Sequence, residues 1–293
     1  MLPKEIIKRI RRIEIKTARL VTDIFAGQYH SVFKGKGMEF DEVREYQPGD
    51  EIRDIDWNVT ARMGHPFIKK FVEERQLTVM LMMDASASSY FGTNAQLKSE
   101  LITEICSVLA FSAVRNNDRV GLIIFSDRIE KFIPPRKGLK HVLRVIREAL
   151  YYKPQGKSTD INLVLEYLNG VTRKRAVCFL ISDFFAPDFR KRLRITNKHH
   201  DLIAVTVTDP AEEELPQAGI IQFRDAETGE EFQVDSADRE ARRLFREESR
   251  RLKEERKKIL RQSGVDIIEI RTGVPYADSL LHFFRTREKR LRV

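Results

Sequence analysis

Four stretches of this 293-residue chain are apolar with little or no alternation: residues 77–83 (LTVMLMM), 119–125 (RVGLIIF), 176–182 (AVCFLIS) and 201–208 (DLIAVTVT). A strand with one wet face alternates apolar and polar side chains, whereas a strand covered on both faces does not. Such runs belong at the centre of a parallel sheet with helices on either side. The intervals between them agree. Residues 95–115 repeat Leu97, Leu101, Ile105, Leu109 and Ala113, with Ile102, Cys106 and Ala110 alongside, which is a broad helical stripe. Residues 139–151 carry Val142, Leu143, Ile146 and Leu150 on one side, and another helix starts at Thr159 and Asp160. Alternating strands and helices predict right-handed crossovers and an α/β fold with a doubly wound, mostly parallel sheet. Residues 128–133 are shorter and more polar, an edge strand that Pro134 and Pro135 are expected to stop.

The first of these strands runs into Asp84, Ser86 and Ser88, a D-x-S-x-S sequence at the strand's carboxyl end, where open α/β sheets place their ligands. One carboxylate and two hydroxyls form an oxygen-only set of the kind that hard cations such as Mg²⁺ prefer. A capped turn is the plainer reading, since Asp and Ser are common N-caps and a helix follows. The strand at 176–182 also ends in an aspartate, Asp183, and Thr159 lies on a loop entering a helix. In a parallel sheet these distant positions reach one edge, giving two carboxylates and three hydroxyls to a single pocket.

The order changes after residue 209. Residues 220–223 and 231–234 flank Glu227, Thr228 and Gly229 in the pattern of an antiparallel hairpin. Residues 237–262 form a long charged helix ended by Gly264, 265–270 a last strand, and a final helix starts near Tyr276. Upstream, residues 3–21 form an amphipathic helix pattern with Ile6, Ile7, Ile10, Ile13 and Leu20 among lysines and arginines. Short strands are expected around a turn at Pro48 and Gly49, with Arg44, Arg53, Arg62 and Arg75 facing Glu39, Asp50, Asp54, Asp56 and Glu73, and Trp57 helping to hold the segment. The expected division is therefore residues 1–30 as an N-terminal helix, 31–75 as a β-rich accessory segment, 76–210 as the α/β core and 211–293 as the part completing the fold.

A formal charge of +9 raises the question of nucleic acid, but Glu and Asp are interleaved with the basic residues at both ends, as on solvated helix faces. No apolar run is long enough to cross a bilayer, and the basic N-terminus lacks the apolar stretch of a signal peptide. Cys106 and Cys178 both sit in apolar patterns and read as core residues, which fits a reducing cytoplasm.

The set Asp84, Ser86, Ser88, Thr159 and Asp183 resembles the metal-ion-dependent adhesion site of the von Willebrand factor A domain, in the same chain order. Ser89 stands where many such domains have an apolar residue, and Ser158 is an alternative hydroxyl beside Thr159. Residues 35–62 (GKGMEFDEVREYQPGDEIRDIDWNVTAR), notably R-x-Y-x-x-G-D and R-x-I-D-W, resemble the bacterial family known as domain of unknown function 58. The resemblance implies a von Willebrand factor A/Rossmann-like core and Mg²⁺ (or Mn²⁺ or Ca²⁺) at the five residues. It further implies a non-enzymatic role beside a MoxR-type AAA+ ATPase or its protein client, contacted through an acidic side chain. A metal-dependent hydrolase is the rival class, although no His or further carboxylate is placed by the sequence as a base.

Overall fold

The structure is a computed structural model that describes residues 32, 39–72, 76–92, 96–225 and 229–291. The helix expected over residues 1–30, and Glu73 and Arg75, lie outside the described residues. The chain forms two compact units, Phe33–Leu77 and the remainder.

In the smaller unit, β1 (Glu39–Glu45) pairs antiparallel with β2 (Phe67–Val72). Between them lies a helix that the sequence reading did not include, α1 (Trp57–Met63). Its seven residues, about two turns, are too short for an apolar stripe, but its ends are marked. The Asp56 carboxylate accepts from the Asn58 and Val59 amides, and Gly64, at φ 78°, closes the last turn. Arg44 and Asp50 meet in a two-bond ion pair at 2.9 and 2.7 Å, and Gly49 takes a positive φ of 111° in the expected turn. Trp57 is the first residue of α1.

The larger unit runs β3 (Thr78–Asp84), α2 (Lys98–Arg115), β4 (Arg119–Phe125), β5 (Ile129–Arg136), α3 (Leu139–Tyr151), α4 (Ile161–Val171), β6 (Val177–Ser182), α5 (Arg190–His199) and β7 (Asp201–Thr208). It continues through β8 (Ile220–Arg224), β9 (Glu231–Asp235), α6 (Arg239–Gln262), β10 (Asp266–Arg271) and α7 (Tyr276–Leu291). Six strands form one sheet in the order β10-β7-β6-β3-β4-β5, with β5 alone antiparallel to its neighbour. β8 and β9 pair separately as the expected hairpin.

The apolar runs are buried because both faces of this sheet are covered. Met80, Met82, Ile123, Phe125, Cys178 and Leu180 pack with α4, α5 and Leu260 of α6 on one side. The alternate residues, Val79, Leu81, Leu122, Ile124, Phe179 and Ile181, are equally buried, on the side of α2 and α3. The edge strand departs from expectation at its end, since β5 runs through Pro134 and Pro135. Leu122 pairs with Ile133 and Val120 with Arg136, so the two prolines stand opposite the single residue Gly121 in a bulge. An edge position and a bulge remove the ladder bonds that proline cannot make. Gly121 is required there, because a Cβ would fall 2.6 Å from the Met80 sulfur.

Chain direction across the sheet reverses at β3. Its next strand lies on one side and β6, reached later, lies on the other. The carboxyl ends of β3 and β6 therefore flank a topological switch point, where a crevice opens in sheets of this type.

Candidate metal centre

Three chain segments meet at that crevice. Asp84 ends β3, and its carboxylate turns back onto the loop that follows: Oδ1 accepts from the Ser86 amide at 2.9 Å. Oδ2 accepts from the Ser182 hydroxyl at the end of β6, at 2.6 Å, and from the Thr159 hydroxyl at 3.4 Å. The Ser86 hydroxyl caps no backbone amide, although Ser86 precedes the short 3-10 turn Ala87–Tyr90; it lies 3.1 Å from the Ser88 hydroxyl. A capped turn would use that oxygen, so the capping explanation fails at Ser86. Ser89, the departure from the usual pattern, faces inward and donates to the Asp84 carbonyl at 3.3 Å, bracing the loop.

The loop carrying Thr159 is fixed from the neighbouring strands. The Glu130 carboxylate on β5 accepts from the Ser126 hydroxyl and from the Gln155 and Gly156 amides, at 2.8, 3.0 and 2.7 Å. The Asp160 amide donates to the Ser126 carbonyl, and the Ala87 amide donates to the Lys157 carbonyl, joining this loop to the D-x-S-x-S loop. Thr159 is buried and turned to Asp84, whereas Ser158 is half-exposed with no contact to that carboxylate in the hydrogen-bond network.

Asp183 follows β6. Its Oδ1 accepts from the Phe185 amide at 3.1 Å, and Phe184 between them adopts a positive φ of 60°, an uncommon conformation for a bulky residue. Its Oδ2 accepts from the Lys98 ammonium at 2.8 Å. Lys98, at the first turn of α2, is 1% exposed and also donates to Glu212 Oε1 at 2.5 Å. The second Glu212 oxygen accepts from the Asp209 amide at 3.0 Å. Arg256 of α6 donates to the Asp183 carbonyl at 2.5 Å and lies over the Phe185 ring at 5.0 Å.

Burial, aided by the negative charge of Asp183, raises the Asp84 carboxyl to about 6; hydrogen bonds from Ser182 and Ser86 oppose the rise. Burial pushes the Lys98 ammonium down, but Asp183 and Glu212 together more than offset this and hold it above the ordinary lysine range. Burial also raises Glu212, against the pull of Lys98.

The donor set suits a hard divalent ion. Burial and the neighbouring Asp183 raise the cost of the Asp84 charge, three hydroxyls belong to the same cluster, and each carboxylate keeps lone pairs beyond those already in use. Among the described residues, no three His, Cys, Asp or Glu side chains are grouped to hold a metal. Hydroxyl ligands from Ser86, Ser88 and Thr159 must therefore supply much of any coordination. All five residues singled out in the sequence lie at this one edge. Lys98, Glu212 and Ser182 were not singled out there. One signal for Lys98 was its register, three and four residues before the buried Leu101 and Ile102 on the core stripe of α2.

The larger unit is thus a doubly wound α/β domain whose switch point carries an oxygen-rich cluster headed by D-x-S-x-S, the arrangement that the resemblance to the von Willebrand factor A domain implies. The chain belongs to the family described as "Protein of unknown function DUF58", whose pattern matches residues 42–255. It is 28% identical over 285 residues to the uncharacterized protein Rv1480 of Mycobacterium tuberculosis, covering 96% of this chain and 89% of that one. Among solved structures it is similar to the conserved hypothetical protein BatB from Bacteroides thetaiotaomicron, at 15% identity and a TM-score of 0.46, over 73% of this chain and 99% of that one. It is also similar to the SpRpn10 VWA domain, at 11% identity and a TM-score of 0.39, over 70% and 94% of the two chains. Among the described residues, no helix is long and apolar enough to cross a membrane.

Proposed function

We propose that this protein is a non-catalytic interaction module that holds one divalent ion, Mg²⁺ or a similar cation, and uses it to bind an acidic side chain of a protein partner. The observation that carries this reading is the convergence of Asp84, Ser86, Ser88, Thr159 and Asp183, with the Ser86 and Ser88 hydroxyls committed to no backbone cap. Asp84, Ser86, Ser88 and Thr159 would hold the ion, and Asp183 would add negative charge to the same site. When bound, the ion supplies a Lewis-acidic centre with a position exchangeable for an outside carboxylate. The protein's own residues orient that centre. The β3 and β6 strand ends fix the two aspartates, and Glu130 anchors the loop that bears Thr159.

The partner proposed from the family resemblance is a MoxR-type AAA+ ATPase or its client. Two buried free thiols are compatible with action in the cytoplasm. The test is capture of a purified MoxR-type ATPase by immobilised protein with and without EDTA, alongside a folded Asp84→Ala/Asp183→Ala variant. Capture lost on chelation, and in the variant, is expected. Capture that survives both moves the interface away from this site.

A further inference from the structure

We infer that Lys98 is the affinity-setting residue of this centre, an internal cation that competes with the divalent ion for Asp183, and that Glu212 governs how strongly it competes. The inference rests on the metal-binding reading above. It starts from geometry that the metal does not require. A lysine side chain is almost never fully buried unless it is paired, yet Lys98 is enclosed with its ammonium held between two carboxylates from different loops, Asp183 and Glu212. One of those two is a proposed metal residue.

Charge then decides the direction of the effect. Asp84, Asp183 and Glu212 place three carboxylates in and beside the site, and Lys98 is the ammonium that touches two of them. An ion approaching Asp183 meets an ammonium already 2.8 Å from the same carboxylate. Like charges separated by one carboxylate, in a site shielded from water, repel far more than they would on the surface. Lys98 therefore weakens metal binding, while Glu212 strengthens it by drawing the ammonium toward itself and by adding a negative charge.

Glu212 is placed for this role. Its other oxygen is fixed by the Asp209 amide, and its carbonyl accepts from Ser249 of α6 at 2.8 Å. The same helix reaches the Asp183 carbonyl through Arg256. α6 thus contacts both residues between which the ammonium is shared. A displacement of α6 would alter how Lys98 divides its charge between them, and with it the affinity of the site.

The experiment is a titration with Mn²⁺ at neutral pH, counting free ion by its paramagnetic resonance signal, on the full chain and three variants. Lys98→Met is expected to bind Mn²⁺ at least about tenfold more tightly than the wild type. Glu212→Gln is expected to bind several-fold more weakly, since the ammonium then rests on Asp183 alone. Lys98→Met leaves two buried carboxylates facing each other, so the double variant Lys98→Met/Glu212→Gln serves if the single one does not fold. It should bind more tightly than Glu212→Gln. A merely structural role for the pair would weaken binding in every variant or leave it unchanged, and either result overturns the inference. Silence of the wild type beside a binding Lys98→Met variant supports it as the extreme of the same competition. Silence of all four proteins refutes the metal reading itself, and the inference with it.

Discussion

Replacing Asp84 by asparagine should stabilise the metal-free protein at neutral pH, although it removes a buried charged group at the centre of the site. The side chain keeps its shape. Its oxygen can still accept from the Ser86 amide, and its NH₂ can donate to the Ser182 or Thr159 hydroxyl, since hydroxyls both donate and accept. What disappears is the cost of an ionised carboxylate buried beside Asp183. Raising that carboxyl from 3.8 to about 6 corresponds to about 3 kcal/mol. The sign follows from proton counting. Below about pH 4 the group is protonated in both folded and unfolded chains and contributes nothing. Between about pH 4 and 6 the folded protein retains a proton that the unfolded chain has released, so stability falls as pH rises. Above about 6 the full cost is present. Urea denaturation of both proteins, freed of metal, should therefore show Asp84→Asn more stable by up to about 3 kcal/mol at pH 7.5, with the advantage vanishing near pH 4. Saturating Mg²⁺ should then stabilise the wild type and leave the variant unchanged. A variant that is less stable than the wild type at pH 7.5 without metal, or an advantage independent of pH, would refute the assignment of Asp84 as an electrostatically costly ligand.

The loop that presents Thr159 offers a second test. A Cβ on Gly156 would lie 2.2 Å from the Ser126 hydroxyl and 2.3 Å from an Asp127 carboxylate oxygen, so Gly156→Ala must shift those two side chains, the first of which donates to Glu130. Expected are a loss of about 1–3 kcal/mol in denaturant titrations and weaker Mn²⁺ binding; unchanged values for both would show that the loop does not need this packing. The cysteines supply a third. Burial pushes the Cys106 thiol up to about 12 and Cys178 well above its ordinary value, so neither should react with a disulfide reagent at pH 8 until the protein unfolds. Rapid labelling of the native protein would contradict the buried core described here.

The strands and helices of the larger unit were legible because their information is local. An apolar run without alternation marks a doubly covered strand wherever it lies, and a four-residue repeat marks a helix packed on a sheet. Helix α3 (Leu139–Tyr151) and strand β7 (Asp201–Thr208) fall at the residues read from the sequence. The aspartates ending β3 and following β6 were legible for the same reason, since strand ends in a parallel sheet share one edge. Other features are set by contacts between segments far apart in the chain. The passage of β5 through Pro134 and Pro135 depends on its register against β4, where the two prolines stand opposite Gly121 in the bulge. The turn of Ser182 onto Asp84 joins residues 98 positions apart. Lys98 reads locally as one more charge at the start of a helix, and Glu212 as part of an acidic stretch after β7. Only folding brings them 2.5 Å apart across 114 residues and sets the Lys98 ammonium against Asp183 as well. A buried charge is tolerated only when its partner is present, and for Lys98 the tertiary structure alone supplies it.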